Sequence, residues 1–416
     1  MSARRLARAL CLCALLAASF ARAGMESPCS DPIVASGARV QVFILPFRAD
    51  GPLGPAGASL GTVLQRQVLF SALKYGSIGV EQLTGPCRLE VVRFKVERRL
   101  KDGQVALYLQ GRLFQQGDLV YVQTTLSSKT MGFEDRFTWD VGADAPTVTT
   151  TPSDPVAFQA RTIPAKLVEL GEAQLRAMRL HDAASADSPS TELPNYPDAR
   201  FGFAVNRTQG NWMYVEMFDG GRHGWLSAES LVSPAELARA FPELYLVDGA
   251  IGYYGLGPEP DTRFERTAAS LDRYLELSAD RTESAARALA AILLGNAVLR
   301  ASAEKPPSLE TLQVAEKHYA QARDLSPQSG APSNFYLASA AALCARGNCP
   351  ENVTPVQIHA EYLKAINRDP TSTELLRNLK ALYVRAASGK IEIGLPKSGI
   401  IKQLRQIQQI EDQQQR

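Results

Sequence analysis

Residues 38–47, ARVQVFILPF, form a β-branched, apolar run closed by Pro46, which predicts a buried strand. After the loop GPLGPAG, the positions Leu60, Val63, Leu64, Gln67, Val68 and Leu73 mark a broad stripe along one side of a helix. SIGVEQL predicts a second strand. Three further strand-like runs follow at 88–100, 105–114 and 119–126, separated by turns at Lys101-Asp102-Gly103 and Gln116-Gly117-Asp118. The stretch IPAKLVELGEAQLRAMRL predicts an amphipathic helix that closes this region. Strand, helix, strand, meander, helix is an α+β order, assigned to residues 24–180.

Residues 181–198 are small, polar and proline-containing, and predict a linker. Beyond it the period changes. Trp212, Tyr214, Glu216 and Phe218 alternate with Met213, Val215 and Met217, the pattern of a strand covered in part on both faces. Asp219-Gly220-Gly221 predicts a hairpin turn, and HGWLSAESLV returns as a strand with a short helical turn. Residues 199–235 are assigned to this small β unit. From 236 to 416 the chain is assigned to helices, rich in alanine and leucine from Arg263 onward. SLDRYLELSAD, AEKHYAQARDLSP and IHAEYLKAINRDP align on Tyr274, Tyr319 and Tyr362, so an internal repeat runs through it. The predicted class is a multi-domain α+β chain: an N-terminal α/β domain with an antiparallel meander, a small β-barrel, and a C-terminal α-helical repeat array.

Three resemblances follow from these residues. VFILPF, the helix LGTVLQRQVLFSAL and the hairpin LYLQGRLFQQGDLVYVQTTL resemble the N-terminal domain of TolB-like periplasmic proteins, which implies assembly or docking on partners. Gly210, Trp212, Val215, Gly221, Gly224, Trp225 and Leu231 resemble the C-terminal half of a bacterial SH3-type domain, and the family pattern makes Trp225 a core residue. The earlier half of that family's pattern is replaced by FGFAVNRTQG. Ala315, Tyr319, Ala322 and Pro327, repeated as Ile358, Tyr362, Ala365 and Pro370, resemble the second helix of a tetratricopeptide repeat. The repeat here is lengthened by inserts at SAEKPPS and GNCPENVTP.

Composition narrows the function. A formal charge of +2 leaves no basic footprint for nucleic acid. Arg4, Arg5 and Arg8, an apolar run at 10–20 and Ala21-Arg22-Ala23 predict a signal peptide over 1–23. That run is short of the ~20 apolar residues a span needs, and no later stretch reads as a span. An exported, periplasmic or secreted protein without a transmembrane span after cleavage is therefore expected. Four cysteines remain, Cys29, Cys87, Cys344 and Cys349. Neighbourhood favours Cys29–Cys87 and Cys344–Cys349, with free buried thiols as the alternative.

Reactive chemistry is sparse. GASLG satisfies Gly-x-Ser-x-Gly around Ser59, but it lies well past the first strand with no histidine before His181, so a helix start is expected rather than a nucleophile elbow. There is no phosphate-binding loop and no His-Glu-x-x-His, and the Cys-x4-Cys spacing is not that of a zinc site. No metal and no cofactor is expected. His318 and His359 are expected on helix surfaces. The candidate ligand-binding residues are Trp212, Tyr214, Arg222 and His223, clustered about one turn. The expected function is a non-enzymatic binding or scaffold protein of the bacterial cell envelope, with a protein or peptidoglycan partner. The alternative is a cell-wall hydrolase or processing factor with an active site in the N-terminal domain, and behind it an extracellular effector or toxin.

Overall fold

The computed structural model describes residues 29–49, 53–117, 119–130, 135–138, 147–150, 156–162, 178–193, 202–218, 221–230, 241–257, 259–302, 307–327 and 330–414. The signal-peptide segment, residues 163–177 of the expected closing helix, and Asp219-Gly220 lie outside the described residues.

The run predicted as the first strand is β1 (Val40–Ile44), with all five residues buried. Alternation splits it between two cores. Val40, Val42 and Ile44 face the helix α1 (Gly54–Tyr75), while Phe43 and Leu45 face the opposite side. A buried strand needs neighbours on both edges, and β1 pairs in parallel with β3 (Ile78–Gln82) and with β4 (Val105–Gln116). The short β2 (Arg48–Ala49) also lies on β4. β4 and β5 (Leu119–Thr130) form the expected antiparallel hairpin, with Gly117 at its end in the left-handed region at φ +60°. A separate two-stranded sheet joins β6 (Asp135–Thr138) to β7 (Thr147–Thr150).

Residues 88–100, expected as a strand, are instead the helix α2 (Leu89–Glu97). Leu89, Val92 and Val96 fall at helical spacing and bury against Phe43, Leu45 and Tyr108 on the second face of the sheet. β-branched content suggested a strand, but the apolar positions satisfy both periods over so short a run, and packing decides. Cys87, just before α2, is bonded to Cys29.

The small β unit does not stand apart. β12 (Gly202–Gln209) pairs antiparallel with β3, followed by β13 (Trp212–Met217) and β14 (His223–Ser227). The last residues of the expected closing helix and part of the expected linker are strand instead and complete the edge: β10 (Arg179–His181) lies on β14 and β11 (Ser190–Glu192) on β10. The 12-stranded mixed sheet therefore runs β11-β10-β14-β13-β12-β3-β1-β4-β5-β8, with β8 (Val156–Ala157) and β9 (Arg161–Thr162) on β5.

Eight helices follow among the described residues: α3 (Glu243–Leu256), α4 (Phe264–Leu277), α5 (Ser284–Ala301), α6 (Leu309–Leu325), α7 (Gly330–Ala345), α8 (Pro355–Arg368), α9 (Thr373–Ala387) and α10 (Lys397–Gln414). Each packs against the next in sequence. The odd-numbered members α3, α5, α7 and α9 also contact one another in succession, and that row faces the rest of the chain: α3 on α1, α5 on β8, and α7 and α9 on β7. This explains why α5 and α7 are apolar nearly all round, whereas α4 and α8 are strongly one-sided. α5 is the one described helix long and apolar enough to cross a membrane, a feature missed in the sequence; 61% of it is buried between its neighbours, as a core helix requires.

Tyr274, Tyr319 and Tyr362, the aligned tyrosines, are all fully buried. Tyr319 donates to Asn296 Oδ1 at 2.7 Å, and Asn296 donates to the Tyr253 hydroxyl at 3.2 Å, so one amide ties α3, α5 and α6. Gly295 makes room for this ring: a Cβ there would sit 2.6 Å from the Tyr319 ring, which Phe335 hems in at 5.0 Å between centroids. Gly295→Ala is expected to destabilise by about 1–3 kcal/mol from overpacking, less the ~1 kcal/mol that alanine returns in helix propensity. A thermal melt no lower than that of the parent would show that Tyr319 can move aside.

Candidate functional site

Met213, Val215 and Met217 of β13, with Leu226 of β14, point into the α1 core. Their neighbours therefore face away from it. On that outer face the register sets Arg207 opposite Tyr214, Tyr214 opposite Trp225, and Glu216 opposite His223. The Arg207 guanidinium lies 4.4 Å from the Tyr214 ring centre and 5.1 Å from that of Trp225, and the two rings meet edge to face at 5.5 Å. His223 tilts toward Tyr214 at 6.0 Å and hydrogen-bonds the Gly221 carbonyl through Nδ1. Trp212 meets His181 of β10 edge to face at 5.0 Å. β10 reaches this face because Gly224 has no side chain: a Cβ would come within 3.1 Å of Leu180 Cβ and 3.0 Å of the His181 carbonyl.

The four candidate residues thus lie on or beside one surface. Trp212 and Tyr214 are half-buried, whereas Arg222 and His223 are exposed. Trp225, assigned to a core by family pattern, is indeed only 8% exposed, but it lies on the aromatic face rather than in the α1 core. Two participants escaped the sequence reading. Arg207 lies across a β-bulge between Val205 and Arg207, which shifts its register, and His181 lay in an expected linker. Chemically the surface offers aromatic edges, one guanidinium over two rings and the Glu216 carboxylate.

Other polar groups hold helices together. Asp248 of α3 accepts from Ser71 Oγ at 2.7 Å, Ser270 Oγ at 2.6 Å, Lys74 Nζ at 2.7 Å and Tyr75 OH at 3.4 Å, tying α1 to α3 and α4. Burial, then the Asp248 charge, drives the Tyr75 phenol well above its usual range. Ser59 falls within α1, beyond its first turn, so the Gly-x-Ser-x-Gly match is helical rather than a strand-to-helix elbow. His359 is not on a surface: it is buried, with Nε2 2.9 Å from the Tyr383 hydroxyl, and burial lowers its pKa. His318 is half-buried and lowered by the same cause. Among the described residues no group of three or more His, Cys, Asp or Glu could hold a metal ion.

Both expected cysteine pairs are joined as disulfides, Cys29–Cys87 and Cys344–Cys349, which suits an oxidising, extracytoplasmic environment. No protein-family model, curated protein or solved structure matches this chain.

Proposed function

We propose that the chain is a non-enzymatic binding or scaffold protein of the bacterial cell envelope, exported to the periplasm or beyond, that holds a protein or peptidoglycan partner. On this reading the strands after residue 199 are an SH3-like unit fused edge-on to a TolB-like sheet, and the helices from α3 onward are tetratricopeptide-like repeats. The observation that carries it is the outer face of β10, β12, β13 and β14. There Trp212, Tyr214 and His223 stand partly open beside an Arg207 guanidinium stacked between two rings, on a sheet whose other side is packed core. Rigid aromatic side chains with a polar edge lose little entropy on contact, and such groups dominate recognition surfaces.

The test is a photo-reactive residue at position 214 in the native envelope. One recurrent crosslinked species, lost when Trp212 is also changed to alanine, is expected. Crosslinks no different from those of a probe on the remote exposed side of α2 would remove the aromatic face from the function. In parallel, Ser59→Ala is expected to leave unchanged any hydrolytic activity measured on cell-wall preparations; its loss with folding intact would restore the hydrolase alternative.

A further inference from the structure

The helical region carries a second surface that the aromatic face does not touch. α6 and α8 both pack on α7, and between them runs a groove floored by Tyr336. It consists of two depressions of about 820 and 810 Å³ that share Arg323, Asp324, Tyr336 and Val353. The loop that closes it is the insert GNCPENVTP, which lengthens the repeat. Its Cys349 is bonded to Cys344 at the end of α7, and Asn352 holds a left-handed φ of +59°. Among the described residues no strand lines this groove.

Its charges are divided. Arg323 pairs with Asp324, and Lys364 with Glu361. What remains at the α6 end is Glu316, Glu351 and Lys317, and at the α8 end Arg368, which donates to the Pro327 carbonyl at 2.8 Å. Glu316 is the anomaly. It is 6% exposed, lines the groove, and has no hydrogen-bond or ion-pair partner among the described residues. Burial raises its carboxyl above the ordinary range, with Arg323 and Lys317 opposing. Its carboxylate opens into the groove, where a cation supplied from outside would pair with it and favour the charged form.

We propose that this groove binds an extended segment of a partner polypeptide, seating a lysine ammonium on Glu316 and an acidic side chain toward Arg368. The inference rests on the reading of the chain as a binding protein and names the chemistry of one partner. The lining of α6 from Gln313 to Asp324 covers about 17 Å at ~1.5 Å per residue, enough for about five extended residues at ~3.3 Å each. A sugar chain is disfavoured, because the aromatic floor residue Tyr336 is already capped by Arg323 at 3.9 Å.

The experiment exposes the whole protein to two blocked decapeptide libraries, random except for one central lysine or, in the control, acetyl-lysine. Retention of the lysine library alone is expected, with acidic residues enriched to one side of the lysine. Glu316→Gln should weaken the best peptide at least about tenfold, as loss of a charged hydrogen bond does. Glu351→Lys, on the exposed loop, should weaken it without affecting the fold, which guards against a folding defect in the buried variant. Equal retention of both libraries, or unchanged affinity in both variants, overturns the proposal. Free lysine amide binding as tightly as the peptides would assign the groove to a small amine, and a dimer dissociated by Glu351→Lys would assign it to a second copy; either overturns it. If position 214 crosslinks a partner while no lysine preference appears, the groove assignment fails and the binding-protein reading stands. Lysine-dependent binding with no crosslinks at 214 would do the opposite, keeping the groove and removing the aromatic face from the function.

Discussion

Glu243→Ala is expected to lower folding stability by about 3–5 kcal/mol, the usual cost of breaking a buried ion pair from one side. Glu243 opens α3 with 1% of its side chain exposed, and Arg161 of β9 reaches it with 11% exposed. Thr124 of β5 donates to the same carboxylate at 2.6 Å. The pair thus fastens the far edge of the sheet to the first helix of the C-terminal region. Burial, with Arg281 adding repulsion, pulls the Arg161 guanidinium down to about 9, so its charge is held at some cost. The Phe241 ring lies 5.2 Å from it, and the Glu283 carboxylate acts on it from a greater distance. Removing Glu243 takes away the one carboxylate in direct contact with this cation among the described residues, whereas replacing both partners with Leu and Met should restore most of the loss, since the desolvation cost disappears with the charges. Urea denaturation of the single and double variants measures this. A loss under about 1 kcal/mol in Glu243→Ala would mean that water reaches the pair.

Trp225→Ala is expected to cost about 3–5 kcal/mol, and Trp212→Ala only about 1 kcal/mol. Both rings share a face, but their surroundings differ. Trp225 lies beneath Arg207 and edge to face with Tyr214, so its removal takes away the contacts of both groups as well as its own buried area. Trp212 meets His181 at its edge and keeps part of its surface in solvent. Partner binding should divide the other way: Trp212→Ala and Tyr214→Ala weaken it per folded molecule while the melt changes little. Equal destabilisation by the two tryptophan variants, with binding unchanged, would reduce the whole face to packing.

Much of the local structure was legible in the chain. β1, α1, β4 and β5 follow from their apolar periods, and β13 from strict alternation about Trp212 and Tyr214. The candidate site was legible in part. Trp212, Tyr214 and His223 are near neighbours in sequence, so a single hairpin brings them together. Arg207 joins them only through a neighbouring strand with a bulge, and His181 only through a strand from the expected linker. The helix α2 was misread because Val92, Phe94 and Val96 alternate as in a strand, while Leu89, Val92 and Val96 keep the helical spacing that packing selects.

By itself the sequence determined most of the long strands and helices and which of their faces are apolar, because steric preference and side-chain period act over a few residues. It also favoured the cysteine pairs Cys29–Cys87 and Cys344–Cys349, each of which falls within one part of the chain. Only the tertiary structure decided that β12 adds to β3, so that two expected domains share one sheet, and that β7 and β8 cover the inner row of helices. Those choices depend on which unpaired strand edge meets which, and on which apolar face covers which. Many pairings satisfy the same local pattern, and only the packing of the whole chain selects among them.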